Sequence, residues 1–253
     1  MRRYWIQKKD LFQDKVNFTG DVFHHIFDVC RQTVGSKFEV LTEDSKAYFV
    51  EVLSVSKKTA QAQLLEERII PPLPEPRLHL ALAISRFPVM DAVIEKAVEM
   101  GISSVQPFFS ELSFLRKEDK VSDNKLERWD KIVRSATQQC GRGDLMAVHP
   151  PRPLAQTLSA INPHQGAVGL FAYEGPSTLG IKEYVKNIKS SHPQGVREIW
   201  MIVGSEGGFS KTEVEGFLQL GLHPVTLGPQ VLRVETACMA LTSVLKYDFD
   251  LMC

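Results

Sequence analysis

Four prolines fall within the six residues Pro71-Pro72-Leu73-Pro74-Glu75-Pro76. Proline fixes φ and removes an amide donor, so this stretch cannot be helical and must run as a stiff, extended connector. The segments on either side are therefore expected to fold as separate domains, residues 1–72 and 73–253. A length of 253 residues, larger than a typical single core, agrees with two domains. Before the connector, Lys37 to Leu41, Ala47 to Val55 and Thr59 to Leu65 alternate in the manner of strands and are rich in Val, Phe and Tyr. A single helix is expected from about Asp21 to Arg31, with Val22, Ile26 and Val29 facing a core and Gly35 as a turn residue after it. The first segment reads as a small β-barrel carrying one helix.

After the connector the rhythm changes to strand and helix in alternation. Strands are expected at Leu78–Ile84, Ser104–Phe108, Ala167–Ala172, Glu198–Val203 and Pro224–Leu227. Helices are expected at Val89–Met100, Lys125–Gln139, Ile181–Ile188, Lys211–Leu220 and about Glu235–Asp250. Alternation of this kind implies an α/β domain with a parallel sheet and crossover helices.

The charge balance, 30 basic against 30 acidic residues, withholds the global basic field common among nucleic-acid binders, so RNA contact would have to use local patches. Cys30, Cys140, Cys238 and Cys253 are scattered and form no CxxC pair, which argues against a zinc site or a disulfide framework. Met1-Arg2-Arg3-Tyr4-Trp5-Ile6 leads into polar residues rather than a hydrophobic signal segment, and no apolar run reaches membrane-spanning length. A reducing, cytoplasmic location is expected, without membrane or metal partners.

Ligands of open α/β sheets bind beyond the carboxyl ends of strands, so the strand-to-helix junctions are the places to look for chemistry. One is Val203-Gly204-Ser205-Glu206-Gly207-Gly208, whose glycines let a ligand approach bare backbone; Ser210 and Glu213 then form a capping box. It is not a Walker A loop, because Ser210 rather than glycine precedes Lys211-Thr212, and the glycine spacing does not fit the dinucleotide fingerprint. Gly141-Arg142-Gly143 also lacks the third glycine. A second junction, Leu227-Gly228-Pro229-Gln230-Val231-Leu232-Arg233-Val234-Glu235-Thr236-Ala237, is unusually apolar for a surface loop. Arg233 and Glu235 there either supply polar groups to a ligand pocket or pair with each other as a local salt bridge. The third junction, Phe171-Ala172-Tyr173-Glu174-Gly175, is weaker evidence, since a turn alone would explain it.

Together the three junctions resemble the cofactor loops of SPOUT methyltransferases, and the first two strings are similar to those of the RsmE family. The resemblance extends along nearly the whole chain, through Ile94-Glu95-Lys96-Ala97-Val98-Glu99-Met100-Gly101, Gln138-Gln139-Cys140-Gly141-Arg142, His24-His25 and Val29-Cys30-Arg31. Ser205 stands where the family more often has proline, and Gln230 where it often has arginine. The resemblance implies a PUA-like, RNA-recruiting β-barrel over 1–72 and a SPOUT domain with a trefoil knot over 73–253, homodimeric through helices beside the cofactor site. It implies S-adenosyl-L-methionine as cofactor, held by Ala172, Tyr173, Glu174, Val203, Gly204, Ser205, Glu206, Gly207, Gly208, Leu227, Gly228, Gln230, Val231, Leu232, Thr236 and Ala237.

The implied reaction is methylation of uridine N3 in 16S rRNA, at position 1498, with the assembled 30S subunit as substrate. N3 carries a proton at neutral pH, so a general base and a nearby cation are wanted; Glu235 and Arg233 are assigned these roles. The Watson–Crick edge must be unpaired or flipped to be reached, and Phe209 or Tyr173 is placed to stack on the base. Arg2, Arg3, His25, Arg31 and Arg142 are the candidate RNA contacts. Adjacent helical positions do not share a face, so His24 and His25 are not read as a metal pair. N3 needs no covalent activation, so Cys140 is read as packing rather than as a nucleophile. The alternative is a noncatalytic RNA-binding assembly factor that keeps the fold.

Overall fold

The computed structural model describes residues 1–115, 121–161, 166–175 and 178–252, so Cys253 lies outside the described residues. The chain divides into two compact units, Met1–Pro72 with Arg134–Leu145, and Leu73–Val133 with Met146–Cys253. The short segment Arg134–Leu145, placed by the sequence reading in the second domain, thus clusters with the first.

The first unit is a six-stranded sheet. Its strands are β1 (Arg3–Trp5), β2 (Leu11–Phe12), β3 (Lys15–Thr19), β4 (Lys37–Leu41), β5 (Lys46–Val55) and β6 (Thr59–Ile69), in the order β1-β4-β5-β6-β3-β2. β5 is kinked against β6 by register shifts at Phe49/Val50 and Val52/Ser54, which increase local twist and bend the strand. Inward-facing Val16, Phe18, Phe38, Val40, Val50, Val52 and Ala62 build one core with Tyr4 and Ile6. The segment Arg134–Leu145 seals an edge: Gln138 Oε1 accepts from the Trp5 amide at 2.8 Å, and Gly141 is bare because a Cβ there would meet the Arg3 side chain at 2.8 Å.

The expected helix is present but differs in its winding. α1 (Gly20–Phe23) passes directly into π-helical turns over His24–Val29, with the Cys30 amide donating to the His25 carbonyl. Wider i→i+5 turns shift the buried face, so Phe23, Ile26 and Phe27 enter the core while Val29, expected inside, is 58% exposed. Phe23 and Phe27 stack at 5.1 Å.

Among the described residues the second unit is built on a parallel sheet of eight strands. They are β7 (Arg77–Ala83), β8 (Ser104–Phe109), β9 (Ala147–Val148), β10 (Arg152–Pro153), β11 (Ala167–Ala172), β12 (Leu179–Gly180), β13 (Glu198–Val203) and β14 (His223–Thr226). The order is β10-β8-β7-β13-β11-β14-β12, with β9 also on β8. β13 is central and pairs with β7 and β11, which explains why Ile199–Val203 is buried without alternation. The helices are α2 (Phe87–Glu99), α3 (Asp123–Cys140), whose residues from Arg134 on cluster with the first unit, α4 (Leu154–Ser159), α5 (Ile181–Ser191), α6 (Lys211–Gln219) and α7 (Val234–Asp248). α7 buries Val234, Ala237, Cys238, Leu241, Thr242 and Leu245, one stripe at helical spacing, and packs on α2 and β13. Among the described residues no helix is long and apolar enough to cross a membrane.

His79 of β7 lies flat on Trp200 of β13, ring centres 4.7 Å apart, with Nδ1 2.8 Å from Ser104 Oγ. Burial pushes its pKa below the ordinary value; Glu198 opposes that, and Arg77 and His149 add to it. The unfolded chain therefore takes up a proton first as pH falls, so the contribution of a neutral His79 is intact above about pH 6.5 and shrinks below it. The melting temperature is expected to drop between pH 7.5 and 5.5, and His79→Phe to flatten that slope. Calorimetric melts at three pH values check this, and equal slopes in both proteins would refute it.

Candidate functional site

β13, β11 and β14 are adjacent and parallel, so the loops that leave their carboxyl ends converge on one edge of the sheet. A cavity of about 710 Å³ opens there, within the range of roughly 300–1,000 Å³ usual for small-molecule sites. The loop after β13 makes a tight turn, with the Gly208 amide donating to the Ser205 carbonyl at 2.9 Å. Gly208 sits at φ +71°, where a side chain is disfavoured. A Cβ on Gly204 would press on the Gly208 backbone at 3.1 Å, and one on Gly207 would meet the Leu112 carbonyl oxygen at 3.0 Å. The turn is thus packed on its outer side, and its bare backbone forms the cavity wall.

Side chains fix the surrounding loops. Ser205 Oγ donates to the Leu112 carbonyl at 2.8 Å. Glu213, buried in the first turn of α6, completes the capping box: its carboxylate accepts from the Ser210 amide at 2.9 Å, and its own amide donates to Ser210 Oγ at 3.2 Å. It also accepts from Ser110 Oγ at 3.0 Å and from the Glu111 amide at 2.9 Å. One carboxylate thereby pins two loops that are distant in sequence. Glu213→Ala strips three donors of their acceptor and removes half the cap, so a loss of roughly 2–4 kcal/mol is expected in a denaturant titration. An unchanged midpoint would show that the network contributes nothing.

After β14, Thr226 Oγ1 accepts from the Gly228 amide at 3.2 Å and donates to the Gly228 carbonyl at 3.0 Å. After β11, the Tyr173 amide donates to the Val225 carbonyl at 3.0 Å, and the Tyr173 ring lies over Gly175, where a Cβ would be 2.2 Å away.

The structure brings together almost all of the nominated residues. Ala172, Tyr173, Glu174, Val203, Gly204, Ser205, Glu206, Gly207, Gly208, Leu227, Gly228, Gln230, Val231, Leu232 and Ala237 line the cavity, as do Arg233 and Glu235. Thr236 is the departure: it is exposed and does not line the cavity, because the helix turns it away between Glu235 and Ala237. The local salt-bridge reading of Arg233 and Glu235 fails, since among the described residues neither has a side-chain hydrogen bond or ion pair. Arg233 is the N-cap residue of α7 and Glu235 lies in its first turn, so both project from one helix end.

Arg86 and Val89, after β7, also line the cavity and were missed. The signal was available in principle, because β7 ends in another strand-to-helix junction. Arg86 Nε donates to Glu206 Oε1 at 3.1 Å. Burial alone would raise the Glu206 carboxyl; backbone amides and Arg86 outweigh it and hold that group below the usual carboxylate range. Phe209 lines the cavity too, but its ring is packed edge-on against Phe217 at 5.0 Å.

The nominated RNA contacts separate into groups. Arg2 and Arg31 are exposed beside the end of the π-helical turns, where Arg2 Nη1 donates to the Cys30 carbonyl at 3.0 Å and Arg31 adopts φ 55°. His25 is exposed there also, its ring edge-on to Tyr4 at 5.9 Å. Arg3 is paired with Glu39 at 2.9 Å, and Arg68 holds the other carboxylate oxygen. Arg142 is buried, 9% exposed, and its guanidinium pairs with Asp144 at 2.8 Å. Cys140 is exposed at a helix end, its thiol 3.8 Å from the Thr137 carbonyl.

A parallel sheet whose carboxyl edge carries a bare-backbone turn, an apolar wall and, among the described residues, two charged side chains without ion-pair partners has the form of an α/β ligand-binding domain. Residues 71–246 match the model of the RNA methyltransferase domain family, and residues 18–65 match that of the RNA methyltransferase PUA domain. The chain belongs to this RNA methyltransferase family. It is 29% identical over 259 residues to Ribosomal RNA small subunit methyltransferase E of Bacillus subtilis, covering 100% of this chain and 98% of the relative. It is 27% identical over 248 residues to the protein of the same name from Buchnera aphidicola, covering 98% and 94%. The crystal structure of Ribosomal RNA small subunit methyltransferase E from Neisseria gonorrhoeae bound to S-adenosyl methionine superposes with a TM-score of 0.82 at 25% identity, covering 98% and 97%. The resemblance to the RsmE family is borne out, as is the fold class: an α/β SPOUT-type domain preceded by a PUA-like β domain.

Proposed function

We propose that this protein methylates N3 of a uridine in small-subunit ribosomal RNA, position 1498 of 16S rRNA, with S-adenosylmethionine as donor and the assembled 30S subunit as substrate. The observation that carries this reading is the convergence of three loops on one cavity that also presents Arg233 and Glu235, which among the described residues have no side-chain hydrogen bond or ion pair. The cavity fits the cofactor in size, and the Gly204–Gly208 turn offers backbone in place of side chains. The names of the relatives support the substrate class, and the cofactor in the Neisseria structure supports the donor.

When bound, the cofactor supplies a methyl group already activated by the sulfonium. The protein's own task is then to orient the base, exclude water and manage one proton. Glu235 accepts the N3 proton, and Arg233 faces the negative charge that develops on O2 or O4. Val231 and Leu232 shield the cavity, and the backbone of Gly204, Gly207 and Gly228 lets the cofactor approach closely. Arg2, Arg3, His25 and Arg31 of the first unit contact RNA, in keeping with an RNA-recruiting role for residues 1–72. Homodimerisation, a cytoplasmic location and a trefoil knot threaded by α7 belong to the same proposal.

The test is incubation with labelled S-adenosylmethionine and small subunits lacking the modification, followed by mass-spectrometric mapping of the nucleoside. Methyl on uridine N3 is expected. Methyl on ribose or on another base would overturn the substrate assignment, and cofactor binding without any transfer would favour the noncatalytic assembly factor.

A further inference from the structure

The loop that follows β8 has an unusual balance of rigidity and exposure. Its backbone is tied down on every side: Ser113 Oγ accepts from the Ser110 amide at 3.0 Å, Glu213 accepts from Ser110 and Glu111, and the Leu112 carbonyl accepts from Ser205. The Phe114 amide donates to the Ile84 carbonyl at 2.9 Å. Yet Leu112 is 41% exposed and Phe114 54%. A segment held this firmly does not expose an aromatic ring through looseness.

Phe114 has company. Its ring meets Phe87 edge-on at 6.3 Å, and Lys125 Nζ stands 4.5 Å above the Phe87 ring. Among the described residues Lys125 has no ion-pair partner. The cluster borders the cavity directly, since Phe87 follows the cavity residue Arg86 and Leu112 packs against Gly207. We propose that Phe114, with Phe87 and Lys125, forms a stacking platform for an unpaired RNA nucleotide flanking the target base, Lys125 facing its phosphate. The exposed Phe114 ring beside a lysine that, among the described residues, has no carboxylate partner matches the chemistry of single-stranded RNA, in which each base offers a π-face and each link a charge. A target base that enters the cavity obliges its neighbours to cross this rim. The inference rests on the RNA-methylating reading of the adjoining cavity.

Fluorescence anisotropy of the full-length protein tests it, using an unstructured RNA of about a dozen nucleotides around a central uridine and the same strand with abasic sites beside that uridine. Phe114→Ala is expected to weaken binding of the intact strand about tenfold. The abasic strand should bind the unaltered protein equally weakly, with no further loss in Phe114→Ala, and Phe114→Trp should restore affinity. Lys125→Ala should lower the slope of log K against log salt by about 0.7. Cofactor affinity and melting temperature should not move in any variant. Equal affinity of Phe114→Ala and the unaltered protein, or a loss that ignores the missing bases, overturns the platform. So does a change in sedimentation of Phe114→Ala, which would make the patch a contact between copies or with another protein. Failure of the functional reading is seen separately, as absence of methyl transfer by the unaltered protein, because the anisotropy cycle needs no transfer.

Discussion

Arg233→Ala is expected to lower the rate of methyl transfer by on the order of 10²-fold, the usual cost of removing one preorganised group that faces developing charge. Affinity for S-adenosylmethionine should change little. The substitution is clean because, among the described residues, the Arg233 side chain makes no capping hydrogen bond and no ion pair, while its backbone carbonyl, which accepts from the Ala237 amide at 2.8 Å, is retained. The start of α7 should therefore survive, and the melting temperature with it. Single-turnover rates at saturating cofactor, with the cofactor dissociation constant measured by calorimetry, separate chemistry from binding. Arg233→Lys should recover part of the rate, since the charge returns without the planar fork. A rate unchanged in Arg233→Ala would remove the residue from the mechanism.

Gly204→Ala is expected to act on the cofactor instead. Its Cβ would stand 3.1 Å from the Cα, carbonyl carbon and oxygen of Gly208, all backbone, so no side chain can swing aside to relieve the contact. The turn must open, and overpacking of this kind costs about 1–3 kcal/mol. Because that turn is the cavity wall, much of the cost should appear as weaker binding, roughly tenfold or more at about 1.4 kcal/mol per decade. Gly216→Ala in α6 is the matched control: nothing lies within 4 Å of its added Cβ, so cofactor affinity should hold and stability should rise slightly. Equal cofactor affinity in Gly204→Ala and Gly216→Ala would show that the turn does not shape the site.

Much of the second unit was legible residue by residue. Ala167–Ala172 and Glu198–Val203 are strands with the expected bounds, and the capping box at Ser210 and Glu213 forms as its spacing implies. These are local signals, carried by apolar runs and by a side chain that reaches a backbone amide three residues away. The two-residue strands β9, β10 and β12 were not legible, since a pair of residues has no periodicity to detect. The π-helical turns over His24–Val29 were missed for a related reason. The sequence pattern supports an ordinary helix, and only packing of Phe23, Ile26 and Phe27 into the core reveals the wider winding.

The site divides in the same way. By itself the sequence determined which junctions could bind a ligand, because glycine, serine and proline at strand ends restrict the backbone regardless of what surrounds them. It also determined the family, through long strings in those same junctions. Only the tertiary structure decided that three of those junctions meet. β13 inserts between β7 and β11, and β14 lies on the far side of β11, a strand order set by long-range hydrogen bonding and burial rather than by any local run of residues. That order adds Arg86 to the cavity, while the pitch of α7 leaves Thr236 outside it. Side-chain type is a property of the chain, but which side chains share a cavity follows from how separate strands and helices bury their apolar faces against one another.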